Sequence, residues 1–201
     1  MKRFFDMENP VMKALSIVAD LILLNLLTIL CSLPVLTMGA AVTAMYATAI
    51  KLIRGEDGAL LKDYFNAFKG SLKRGSVFGI LLIIAAALLY FDYLAAKTMI
   101  PVLCPVIAAM AVMVLTLAQY TFALLAHYEN TLLATLKNGV ALAIGYFPRT
   151  LGMVVFALVF WLLLFQFFRY GAPILILFGL SLPCYVCVLL MNGMFTKLEN
   201  K

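Results

Sequence analysis

Two hundred and one residues, 66% of them hydrophobic and only 12% charged, exclude a water-soluble globular domain, in which roughly 45–50% of residues are apolar. The mean hydropathy of +1.09 makes lipid the solvent for most of the surface, which implies one all-α, polytopic transmembrane helical bundle over residues 1–201. The net charge of +6 comes with no zinc-finger spacing, RNP-like aromatic set or basic recognition helix, so nucleic acid is not an expected partner and the cations are read by position instead.

The N-terminal MKRFFDMENP carries Asp6 and Glu8 among its cations, and no A-x-A site closes a short apolar region. The first apolar run is therefore expected to be a retained helix. A hydrocarbon core about 30 Å thick takes ~20 helical residues. Six crossings are read along the chain: 14–33, 39–53, 76–96, 102–126, 150–168 and 173–195. Pro34 closes the first, because proline cannot extend the hydrogen-bond ladder. The second, GAAVTAMYATAIKLI, is only 15 residues long and spans only if the preceding turn contributes or the bilayer thins. In the sixth, Pro173 suits the first turn and Pro183 is expected to kink the middle.

Two stretches between crossings have helical periodicity. In 59–74, Leu61, Phe65, Phe68 and Leu72 share one face, while Lys62, Lys69 and Lys73 share another with Asn66, and Arg74 follows. This predicts a basic amphipathic elbow helix lying in the inner headgroup layer, as a topological anchor or as a partner-docking surface. In 127–149, Leu132, Leu136, Val140, Ile144 and Phe147 form a stripe opposite Lys137 and Asn138, and Pro148 ends it. The two elbows are weakly alike, RGEDGALL against YENTLL, each with an Arg (Arg74, Arg149) before a crossing.

With the N-terminus inside, thirteen Lys and Arg residues face the cytoplasm and two, Lys97 and Arg169, lie outside. That asymmetry orients the chain in a bacterial cytoplasmic membrane with both termini inside, and it supports the short second crossing.

Ionisable groups inside a membrane are expensive and are candidate sites. Asp20 is read as an interhelical clamp to Lys13 or Arg149, or as part of a substrate or ion site with Asn25. Asp92 is placed to pair with Lys97 or Arg169 at the outer surface. Gln119, Gln166 and Asn192 are read as interhelical hydrogen bonds, worth about 0.6 kcal/mol each. His127 is either a proton relay or an interfacial side chain. Cys31, Cys104, Cys184 and Cys187 lie in apolar runs and are read as packed, reduced thiols, so no metal or cofactor is expected. No Walker loop, nucleophile elbow or H-E-x-x-H pattern is present, and no enzymatic activity is expected.

The motifs DLILLNLL (20–27), SLPVLTMG (32–39), TAMY (43–46), KLIRGED (51–57), DYFNAFK (63–69), ENTLLATLKN (129–138) and FPRTL (147–151) resemble the YesL family, bacterial membrane proteins that carry a domain of unknown function. The resemblance implies a Gram-positive source and a place beside carbohydrate importers and glycan-degrading enzymes. A second, weaker resemblance is to the permease subunits of ABC importers, whose cytoplasmic loop E-A-A-x3-G-x9-I-x-L-P docks on the ATPase. Here Glu129 precedes Pro148 by 19 residues, the spacing of that loop, with Phe147 at the Leu place and Ile144 one short of the Ile place. Asn130 and Thr131 stand for the alanines and Thr135 for the glycine, which puts close docking in doubt. This resemblance implies a partner face built from Glu129, Asn130, Thr131, Thr135, Lys137, Phe147, Pro148 and Arg149. Three functions are then expected to compete: an accessory or permease-like subunit for carbohydrate uptake, a stand-alone transporter or channel with a polar cavity lined by Asp20, Asn25 or Gln119, and a scaffold working through the basic elbow.

Overall fold

The computed structural model describes residues 10–56, 58–128, 131–166 and 177–199. They form helices α1 (Pro10–Ser32), α2 (Met38–Arg54), α3 (Leu60–Met99), α4 (Cys104–His127), α5 (Leu132–Gly145), α6 (Phe147–Gln166) and α7 (Ser181–Glu199), with no strand among the described residues. Four segments are long and apolar enough to cross a membrane, Ala14–Ser32, Val35–Arg54, Leu60–Met99 and Pro101–His127, and a fifth is obtained if α5 and α6 count together.

Local chemistry sets the breaks. After Pro34 stops α1, the Thr37 hydroxyl donates to the Cys31 carbonyl (2.8 Å), which the helix end leaves open, and to the Pro34 carbonyl (2.9 Å), which also accepts the Thr37 N–H. Helix α2 ends at Gly55, whose φ of 68° is the left-handed conformation that closes a helix C-terminus and that glycine adopts without a Cβ clash.

Helix α2, the segment with the least apolar sequence, lies at the centre. It packs against α1, α3, α4 and α7, and Ala40, Ala41, Ala44 and Ala49 are wholly buried. Its Gly, Ala and Thr content follows from that position, because a helix surrounded by helices needs small side chains while lipid-facing ones need Leu and Ile. The approach to α3 is closest at Gly39, Gly75 and Gly79: a Cβ on Gly79 would stand 2.7 Å from the Gly39 Cα. Buried hydroxyls are closed within their own helices. Thr28, Thr43, Thr48, Thr116, Thr121 and Thr135 each donate to the carbonyl four residues earlier.

The boundary expected near residue 75 is absent, and α3 is one helix of 40 residues. At 1.5 Å per residue it is about 60 Å long, twice the ~30 Å hydrocarbon core. The elbow at 59–74 is thus the first third of a longer rod and not a separate helix. Nothing in the segment interrupts the backbone; only the side-chain polarity changes at Gly75.

The sixth expected crossing, 173–195, is described only from residue 177, and 177–178 are helical. Residues 167–176 lie outside the described part, 179–180 form a turn, and α7 starts at Ser181 with an apolar stretch of Ser181–Met194. Pro183 sits in the first turn of α7, where its missing N–H is harmless, and the turn at 179–180 just before it breaks the helical run where a kink was expected.

Candidate functional site

One end of the bundle gathers most of the basic residues. The Lys51 ammonium pairs with the Asp63 carboxylate at 2.8 Å, joining the end of α2 to the first turn of α3, where a negative charge also suits the helix dipole. The buried line of α3 here is Tyr64, with Phe68 and Ser71 beside it and Gly75 beyond. The Tyr64 hydroxyl donates to the Ala41 carbonyl of α2 (3.4 Å). Of the apolar stripe expected to face the headgroup layer, Leu61, Phe65 and Leu72 are exposed beside exposed Lys62, Lys69, Lys73 and Arg74, while Phe68 is half-buried. Apolar side chains turn outward because small and hydrogen-bonding groups make the contact with α2.

Helix α5 meets α6 at a bend of 97° centred on Tyr146 and Phe147. The bend is held by Thr150, whose hydroxyl donates to the Ala143 carbonyl (3.0 Å) and accepts from the Tyr120 hydroxyl of α4 (2.8 Å). Neither residue was singled out in the sequence; an apolar run holding a Tyr and a Thr 30 residues apart gives no sign that they meet. Thr135 and Gly139 bury the inner face of α5 against α4, and a Cβ on Gly139 would stand 3.3 Å from the Thr121 Oγ1. Leu132 and Leu136 of the expected stripe do pack inward, whereas Val140, Ile144 and Phe147 are exposed together with Leu133.

Of the proposed partner face, Thr131 is exposed at the start of α5, Thr135 is buried, and Lys137, Phe147 and Pro148 are exposed. Arg149 is half-buried with its guanidinium 5.7 Å from the centre of the Tyr146 ring. Glu129 and Asn130 lie outside the described residues. At the end of α4, a pocket of about 300 Å³ has Thr43, Ser71, Arg74, His127 and Tyr128 among its lining residues.

The intramembrane polar residues separate. Asn25 is fully buried, and its Oδ1 accepts from the backbone N–H groups of Leu180 (2.8 Å) and Ser181 (3.0 Å). It caps α7 from α1, at the break that Pro183 imposes. Asp20 is half-exposed on α1, Gln166 is exposed, and Asp92 is exposed with no ion pair to Lys97 among the described residues. Five positions apart on one helix, Asp92 and Lys97 point about 140° away from each other. Gln119 accepts a hydrogen bond from the Cys187 thiol (3.3 Å) and lines a cavity of about 630 Å³. That cavity is apolar and is walled by the first halves of α2 and α7, by α4 over most of its length and by the later parts of α3 and α6, so α2 and α7 run opposite to α3 and α6. All four cysteines are free thiols, and no group of three or more potential metal ligands occurs among the described residues.

Fold and hydropathy together define a helical membrane protein. Residues 21–93, from α1 to the last third of α3, match the family model described as a protein of unknown function, DUF624. Over 164 residues, 80% of this chain and 72% of the relative, the chain is 25% identical to the uncharacterized protein YteU of Bacillus subtilis (strain 168). No solved structure matches the chain.

Proposed function

We propose that the chain is a non-enzymatic, multi-pass subunit of the bacterial cytoplasmic membrane that accompanies a carbohydrate importer, docking a permease or ATPase subunit through α5 and the bend into α6. The observation that carries this reading is the 97° bend, which lays a 14-residue helix across the end of the bundle with Leu133, Val140 and Ile144 exposed around Lys137. A short helix lying across helix ends, apolar and uncovered, is a form suited to a groove on a partner. The YesL-like motifs support the carbohydrate context, and the Glu129–Pro148 spacing supports the docking role. In this reading the chain crosses six times with both termini inside, as its distribution of Lys and Arg favours.

The test is affinity purification of the full chain in mild detergent from cells expressing a carbohydrate importer. Importer subunits should co-purify, and Ile144→Glu should remove them without changing the elution volume of the bundle. Recovery of no importer subunit, under conditions that keep the importer itself intact, overturns the reading.

A membrane-surface scaffold is favoured by one specific observation, the exposure of Leu61, Phe65 and Leu72 beside Lys62, Lys69 and Lys73. Replacing the three lysines by Gln should then abolish the cellular phenotype of the protein while leaving α5-dependent co-purification intact. A polar solute path has less support, since Asn25 is consumed by α7 and Asp20 does not line the large cavity.

A further inference from the structure

The 630 Å³ cavity lies at the end of the bundle away from α5. We propose that it binds one acyl chain of an anionic membrane phospholipid, whose headgroup is held at the Lys97 end of α3. Its volume is that of a ligand pocket, for which about 300–1,000 Å³ is usual. The polar side-chain groups in its lining are those of Gln119, Cys184, Cys187, Tyr46, Tyr90, Tyr93 and the Trp161 indole, and the Gln119 carbonyl is already engaged by Cys187. Water needs two to four polar partners per molecule, so this volume cannot be filled by water.

The cavity is partly open at its side, where Ile83, Leu115 and Trp161 are exposed apolar side chains. They lie on segments that read as membrane-crossing, so the medium at the opening is hydrocarbon. Along α3 the wall is a single stripe, Gly79, Leu82, Ala86, Tyr90 and Tyr93, spaced by three and four residues. From Gly79 to Tyr93 it is about 21 Å long, comparable with one leaflet's share, ~15 Å, of the hydrocarbon core.

Lys97 continues the same stripe one turn beyond Tyr93 and is exposed. Tyrosines followed by a cation at a helix end are the side chains that sit at headgroup depth. A chain lying in the cavity therefore brings its phosphate to the ammonium, which is the charge complementarity that selects an anionic lipid. Asp92 lies on a different face of α3 and does not oppose this.

The chain contains a single tryptophan, Trp161, and it lines the cavity. Fluorescence of the delipidated full-length protein in nonionic detergent is titrated with phosphatidylglycerol bearing dibrominated acyl chains, which quench indole on contact. Saturable quenching is expected, with phosphatidylcholine of the same chains about fivefold weaker from the loss of one charge contact. Ala111→Phe should remove the saturable component, and Lys97→Gln should remove the preference for the anionic lipid while chain binding persists. If Ala111→Phe does not remain monodisperse, Ala86→Leu on the facing wall should raise the half-saturation concentration about tenfold by crowding the chain. Quenching that grows only linearly with lipid mole fraction, or that is unchanged in the wall variants, overturns the proposal. The first result would mean surface contact of lipid with Trp161. The second would mean a cavity closed by another copy or segment of protein.

Discussion

Replacing Asn25 by Leu keeps the side-chain volume and removes the acceptor that closes the start of α7. The N–H groups of Leu180 and Ser181, now 2.8 and 3.0 Å from the Asn25 Oδ1, would be left without that partner in a buried site. An unsatisfied buried donor costs about 1–3 kcal/mol, whereas hydrogen bonds within a bilayer average only ~0.6 kcal/mol because the dissociated helices find other partners. Two donors then give a loss of about 2–4 kcal/mol, with little compensation from the added methyl groups because lipid is as apolar as the interior. Reversible unfolding in mixed micelles measures it. Origin of the demand in Pro183 can be tested by a double-mutant cycle with Pro183→Ala. Without the proline ring the helix can extend backwards, and the Ser181 N–H can reach the Leu177 carbonyl, so Asn25→Leu should cost about 1–2 kcal/mol less in the Pro183→Ala background. Additive effects, or a single-mutant loss under about 0.5 kcal/mol, would refute the capping argument.

Gly79→Leu should destabilise the α2–α3 contact by at least about 1–3 kcal/mol through overpacking, since even a Cβ there meets Gly39; Gly70→Ala, with nothing within 4 Å, should be neutral or stabilising by up to ~1 kcal/mol. Both are read as shifts in thermal unfolding of the detergent-solubilised protein. Thr150→Val should cost about 1 kcal/mol and raise hydrogen exchange of α5 while leaving α2 protected, because it cuts the link to Tyr120 and the Ala143 carbonyl. Lys51→Ala should change stability by less than about 1 kcal/mol, and by nothing measurable in high salt, because the ion pair is half-exposed.

How far the sequence foretells this structure depends on whether a signal is local. Pro34 and Gly55 mark real ends because proline and left-handed glycine act on their own backbone. The centrality of α2 shows in the sequence only as a weakness, an apolar run of 15 residues too short to span alone, which charge placement nevertheless requires to cross. The continuity of α3 was hidden because its polarity changes at Gly75 while its backbone does not. The face of α3 that meets α2 carries no apolar stripe to announce it: Leu61, Phe65 and Leu72 are exposed, and α2 is met by Tyr64, Ser71 and Gly75. At the candidate site, Tyr146, Phe147 and Pro148 announce a bend, but the Thr150–Tyr120 link that fixes it joins helices 30 residues apart. Asn25 is the sharpest case. Its partners lie 155 and 156 positions away, so it could be read as a site residue with no hint that a proline in α7 creates the need for it.

Inside the bundle, polar capacity is almost wholly consumed: threonines by their own helices, Asn25 by α7, Gln119 by Cys187 and Tyr120 by Thr150. Among the described residues the buried side-chain exceptions are the Ser32 and Ser181 hydroxyls and one guanidinium nitrogen of Arg149. Uncommitted polar groups collect instead at the basic end, where Lys62, Lys69, Lys73 and Lys137 stand exposed beside apolar side chains, and where the Arg149 nitrogen is also found. Surfaces that mix exposed cations with exposed Leu, Ile and Phe are suited to a headgroup layer or a partner protein. Among the described residues the interior packs around an apolar cavity, and the exposed cations stand mainly at one end of the helices.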